Sequence, residues 1–177
     1  MALKKTPVLF LLLFIVTPLF SEPEATPEGF GSLILGLDME EVKNNLSEDP
    51  NFDFVGDPDV SLLMRPNESL IECRGFSYIH RAYFQFHENI LYTISLVMNP
   101  EMIDHYALYT TFVGKYGPPV RLSPSEAVWE SERFLFSLER PLTVKYLDKE
   151  TFEALRRQGI MEKSVETLSR EQFLELF

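Results

Sequence analysis

Tyr78-Ile79-His80-Arg81-Ala82-Tyr83-Phe84-Gln85-Phe86, the turn His87-Glu88-Asn89 and the return Ile90-Leu91-Tyr92-Thr93-Ile94-Ser95-Leu96-Val97-Met98 decide the fold. Along a β-strand successive side chains point to opposite faces. In the first run Tyr78, His80, Ala82, Phe84 and Phe86 share one side, and Ile79, Arg81, Tyr83 and Gln85 the other. In the return Ile90, Tyr92, Ile94, Leu96 and Met98 face one way, with Thr93 and Ser95 opposite. The same period recurs downstream. Phe134, Phe136 and Leu138 alternate with Arg133, Ser137 and Glu139, and Leu142, Val144 and Tyr146 alternate with Thr143 and Lys145. Alternation of this kind predicts an antiparallel sheet with one dry and one wet face.

Outside these runs the sequence carries helix signals. Asp38 with Glu41 three residues on forms a capping box, and Leu37 with Val42 a hydrophobic staple. Asn99-Pro100-Glu101 predicts the start of a second helix, proline being suited to its first position. That helix ends at Lys115-Tyr116-Gly117-Pro118-Pro119, a glycine cap followed by prolines. Asp148 caps a third helix, with Leu147 and Phe152 as staple, ending near Gly159, and Ser169 with Gln172 a short fourth. The predicted class is therefore α+β, an antiparallel sheet with one face covered by helices. Residues 37–98 and 99–147 each run from a capped helix through an irregular loop to a hairpin. Two diverged copies of one helix-plus-meander unit is one reading, and the poor match of residue identities leaves a single unrepeated layout as the other.

The chain opens Met1-Ala2-Leu3-Lys4-Lys5, then runs uncharged and mostly apolar from Pro7 to Phe20. A basic head before an apolar core is the layout of a secretory signal. The run is shorter than the about 20 apolar residues that span a bilayer, and Pro7 and Pro18 interrupt it. Residues 1–21 are thus expected to be a Sec-type signal peptide, cut near Ser21 or Ala25, with a buried helix or an uncleaved anchor as the alternatives. After it come a flexible lead at 22–29, one domain at 30–160 and a short helical tail at 161–177. The 177 residues carry a formal charge of −11, and loss of Lys4 and Lys5 makes the mature chain more acidic still. Such a surface repels phosphate backbones and anionic headgroups, so neither nucleic acid nor, after signal cleavage, membrane is an expected partner. A single cysteine, Cys73, forbids an internal disulfide. Small secreted eukaryotic domains are usually stapled by several, so a bacterial periplasm is the expected compartment. No cysteine lies near the end of the signal, so lipidation there is not expected. Within Leu70-Ile71-Glu72-Cys73 the thiol reads as a small buried hydrophobe.

Chemistry-bearing constellations are not recognisable. Nucleophile with base, metal triad and glycine-rich phosphate loop all lack their spacings. His80, His87 and His105 are the three histidines, and they read as structural or surface residues. Asp53, Asp57 and Asp59 crowd one loop but lack the regular calcium-loop pattern, so Asp and Pro acting as turn formers explain them. No catalytic residue, metal or cofactor is expected. Trp129 is expected to pack in the sheet, and Met102, Tyr106, Tyr109, Val113 and Tyr116 have the spacing of a helix stripe facing a core.

Gly36-Leu37-Asp38-Met39-Glu40-Glu41-Val42-Lys43-Asn44-Asn45-Leu46 resembles the opening of small exported bacterial domains of the BamE-like (SmpA/OmlA) kind, where a strand turns through glycine into a capped helix. The chain departs from them in lacking the lipid-carrying cysteine and in being longer. Lys115-Tyr116-Gly117-Pro118-Pro119 followed by Trp129 also looks like a pattern of uncharacterised exported bacterial domains. The resemblance implies a non-enzymatic role in envelope protein assembly. The residues themselves lead to a non-catalytic periplasmic interaction module of a cell-envelope or surface-appendage assembly, docking an envelope protein partner on the wet face. Arg81, Tyr83, Gln85, Thr93, Ser95, Thr143 and Lys145 are the expected contacts, Tyr and Arg being favoured at interface hot spots. The alternative is a small-ligand binding or carrier domain, its cavity between helices and sheet lined by the abundant Phe and Tyr.

Overall fold

The computed structural model describes residues 25–56, 59–62 and 67–159. The segments expected to be a signal peptide and a C-terminal helical tail lie outside them. A small hairpin of β1 (Gly29–Phe30) and β2 (Leu33–Ile34) leads into α1 (Met39–Glu48). The box at its start is formed as expected: Asp38 accepts from the Glu41 backbone N–H at 2.9 Å, and Glu41 accepts from that of Asp38 at 3.0 Å. Then come β3 (Phe52–Asp53), β4 (Val60–Leu62), β5 (Glu68–Gly75), β6 (Ile79–His87) and β7 (Ile90–Met98). After α2 (His105–Tyr116) follow β8 (Arg121–Leu122), β9 (Glu126–Glu130), β10 (Phe134–Glu139) and β11 (Thr143–Asp148). Residues 149–159 form α3, whose first turn is capped by Asp148 accepting from the Thr151 N–H at 2.9 Å.

The strands from β3 on form one antiparallel sheet in the order β3-β5-β6-β7-β11-β10-β9-β8, with β4 also paired to β5. The fold is α+β. At the β6–β7 turn Glu88 and Asn89 both take positive φ, which twists a two-residue hairpin turn to suit its flanking strands.

Two bulges revise the facing set in this hairpin. His80 is the extra residue between the pairs Ile79↔Met98 and Arg81↔Val97, so Ile79 is buried while His80 and Tyr78 are exposed. Tyr92 is the extra residue between Phe86↔Leu91 and Gln85↔Thr93. Leu91 therefore enters the core, Ile90 turns to solvent, and Tyr92 joins the face it was not expected on. Each inserted residue reverses the alternation locally, which a strict two-residue count cannot register.

The main core holds Phe84, Phe86, Ile94, Leu96, Phe136 and Leu138 of the sheet together with Val42 and Leu46 of α1 and Leu108 of α2. Against α2 the packing is aromatic. The Phe136 ring lies 4.8 Å from Phe112, 5.5 Å from Tyr116 and Trp129, and 5.0 Å from Tyr146. Trp129 packs in the sheet, and its indole N–H donates to the Gly117 carbonyl at 2.8 Å, tying the end of α2 to β9. That bond gives the Gly-Pro-Pro and Trp pattern a physical purpose.

Three helical expectations are corrected. The second helix starts at His105 behind the cap Asp104, because Asn99 uses its side chain to accept from the Glu101 N–H in a separate turn. Met102 and Tyr106 are 51% and 76% exposed, so the buried side of α2 is Leu108 and the half-buried Tyr109, Phe112, Val113 and Tyr116. Phe152 is 40% exposed, and Leu155 takes its expected place beside Leu147. Leu155 packs there with Tyr92 and Leu135. Leu147 is the cross-strand neighbour of Thr93 and Leu135, so α3 lies on the opposite side of β11 from the main core.

Candidate functional site

Register brings all seven expected contact residues onto one face of three adjacent strands, β6, β7 and β11. One cross-strand row reads Arg74, Arg81, Val97, Thr143, Glu139, Glu126. The next reads Glu72, Tyr83, Ser95, Lys145, Ser137, Val128, and the third Leu70, Gln85, Thr93, Leu147, Leu135, Glu130. Directly opposed side chains in such rows sit about 4.5–5.5 Å apart at Cβ, so the seven residues form a continuous patch.

The patch is not uniformly open. Thr93 is only 3% exposed. The bulged Tyr92 lies beside it, its hydroxyl donating to Gln85 Oε1 at 3.4 Å, and α3 packs on that corner through Leu155. Among the described residues the Thr93 hydroxyl has no hydrogen-bond partner. What remains accessible is Arg81, Tyr83, Gln85, Ser95, Thr143 and Lys145, all half-buried.

The two basic residues of this face do not stand alone. Arg81 donates to Glu72 Oε1 at 2.6 Å, and Lys145 Nζ stands 4.0 Å from Glu139 Oε1, which also accepts from the Ser137 hydroxyl at 3.0 Å. The patch is a set of ion pairs between adjacent strands, polar but close to neutral. Sequence reasoning missed Glu72, Glu139 and Arg74, because their strand neighbours follow only from register. At the outer end, Arg74 stands directly across from Arg81 beside a groove of about 500 Å³ that Asp53, Asp59 and Glu72 also line. Beneath it lies Cys73, free and 3% exposed. Burial, assisted by the nearby Asp59, Asp53 and Glu72, pushes its thiol up to about 12, so it is an inert core group at neutral pH.

Two further grooves open along α2. One, of about 410 Å³, runs between its first turns and β9, with Tyr106, Tyr109, Leu122 and Arg140 in its walls. The other, about 700 Å³, lies under the 99–104 turn between His80 and Leu142. Among the described residues no three His, Cys, Asp or Glu side chains gather as a metal site. No described helix is long and apolar enough to cross a membrane.

Fold and patch together define an α+β domain built on one nine-stranded antiparallel sheet, with a small β1–β2 hairpin beside it and polar side chains accessible on part of one face. The chain belongs to the TP0088 domain family, whose model matches residues 28–158. No curated protein and no solved structure matches it.

Proposed function

We propose that this is a non-catalytic interaction module, exported to the periplasm by its N-terminal signal without lipidation, that docks an envelope protein partner on its polar sheet face. In this reading α1 and α2 cover the other face, and the domain is two diverged helix-plus-meander units whose last strands, β7 and β11, meet at the centre. The BamE-like opening around Asp38 favours the same setting, a cell-envelope or surface-appendage assembly. The observation that carries the proposal is the grouping of Arg81, Tyr83, Ser95, Thr143 and Lys145 on three adjacent central strands. Strands in mid-sheet form a rigid platform, and tyrosine and arginine on it are the side chains that most often dominate binding energy.

The test is quantitative capture from envelope extract with the native domain, Tyr83→Ala and Arg81→Glu. Loss of one and the same partner in both variants, with unchanged thermal unfolding, is the expected result. Equal recovery by all three proteins removes this face from consideration.

A second reading, a small-ligand carrier, has one observation in its favour. The groove of about 410 Å³ between α2 and β9 is walled by tyrosines and lies between helix and sheet. Its size falls within the roughly 300–1,000 Å³ of small-molecule sites.

A further inference from the structure

We propose that the groove between the first turns of α2 and β9 binds a small organic acid, its aromatic or aliphatic body held between Tyr106, Tyr109 and Leu122 and its carboxylate at Arg140. The inference rests on the carrier reading and gives that site its ligand chemistry.

The walls come first. Tyr106 and Tyr109 are three residues apart on α2, so both rings line one side. Leu122 and Pro124, from β8 and the turn after it, form the other, and Ala127 belongs to both the groove and the core. Tyr106 is 76% and Leu122 64% exposed, among the most exposed large apolar side chains of the described residues. Large apolar groups left in water on both banks of one groove mark a place where something apolar is to be buried.

The head group follows from charge. The chain carries 27 acidic residues against 16 basic ones, yet not every arginine holds a carboxylate. Among the described residues Arg81, Arg121, Arg133 and Arg156 each hold one, at 2.6, 3.3, 2.9 and 2.8 Å, and Arg74 and Arg157 hold none. Arg140, exposed at the β10–β11 turn, holds none among the described residues, although it lines the groove. Glu126, the carboxylate of the same groove, is engaged by Arg121. The guanidinium is thus an open two-pronged donor at the rim of an apolar slot, the geometry that matches a carboxylate. His105, also in the lining, is held below the ordinary histidine range by burial and by the positive charge of Arg140. That shift favours its neutral form, so the permanent positive charge at the rim is that of Arg140.

The experiment uses the full chain with two probes of equal body, octanoate and 1-octanol, followed by calorimetry and by backbone amide shifts. The expected result is octanoate binding that moves the amides of Tyr106, Leu122 and Ala127, with octanol at least about tenfold weaker. Arg140→Gln should lose about the same factor for octanoate and leave octanol unchanged, and Tyr106→Ala should weaken both. Both positions are exposed, so thermal unfolding should match the native protein. Octanol binding as tightly as octanoate, or Arg140→Gln binding octanoate as the native chain does, overturns the carboxylate assignment while the carrier reading stands. Failure of both probes to bind overturns the two together.

Discussion

Phe136 is the side chain on which the helix–sheet packing converges, and its truncation tests that arrangement directly. It is fully buried, with four rings within 5.5 Å contributed by α2, β9 and β11. Withdrawing a phenylalanine from a core forfeits about 1.5–3 kcal/mol of burial, and the cavity left behind raises the total for Phe→Ala to about 3–5 kcal/mol. The upper half of that range applies here. The walls of the vacated space are Phe112, Tyr116, Trp129 and Tyr146, and a hydrogen bond to Gly117 fixes Trp129 as well, so the site collapses poorly. Against a typical domain stability of about 5–15 kcal/mol the loss is large. In urea, with a slope of about 2 kcal/mol/M, a loss of about 4 kcal/mol lowers the midpoint by about 2 M. Trp129 fluorescence, from the sole tryptophan, reports the transition and should shift to the red in Phe136→Ala before unfolding begins. Phe136→Leu, which keeps much of the volume, should cost less than half as much. A midpoint change below about 0.5 M for Phe136→Ala refutes the packing described.

Two other predictions concern titratable groups. Asp148 is buried, which pushes its carboxyl up, but the Thr151 N–H and hydroxyl and the Arg133 guanidinium more than offset this and hold it below its ordinary range. Its folded value is therefore below its unfolded one, so its stabilisation is complete above about pH 4 and is lost as pH falls through the folded value. Asp148→Asn, which can still cap α3, should cost about 1 kcal/mol or more at pH 7. It should flatten the loss of stability below pH 4 in a pH series of urea titrations, and parallel curves for the two proteins contradict the assignment. Cys73, with its thiol near 12, has on the order of 10⁻⁴ of its population ionised at pH 8. A thiol reagent should label it only as fast as the domain opens, with full labelling in urea, and labelling of the native protein at the rate of a free thiol counts against its burial.

Much of the scaffold was readable along the chain because its signals are local. Two-residue alternation in 134–139 and 142–146 is carried by adjacent side chains, and the structure places Phe134, Phe136, Leu138, Val144 and Tyr146 inward as that alternation predicts. The Asp38–Glu41 box and the Asp148 cap involve residues three apart, and both are formed. The errors fell where a local rule met a longer-range demand. Asn99-Pro100 has the chemistry of a helix start, yet the Asn99 side chain donates to the Ser77 carbonyl at 3.0 Å and the Asn99 N–H donates to Tyr78. Those contacts hold it at the end of the sheet, and the helix begins five residues later. The strands β3, β4 and β8 span two or three residues each, too few for a period to show.

By itself the sequence determined the class of fold, the sidedness of β10, β11 and the unbulged middle of β6 and β7, and the acidity of the chain, since each depends on neighbours in the chain or on composition alone. Tertiary structure decided the lateral order of the strands, and with it that Arg81 meets Glu72 and Lys145 meets Glu139. It also decided that Thr93 is closed over, while Arg140 has no counter-charge among the described residues and stands beside an apolar groove. Those are contacts between residues up to tens of positions apart. The free energy that selects them comes from burying both sides of a specific register, a quantity that exists only once the strands have met.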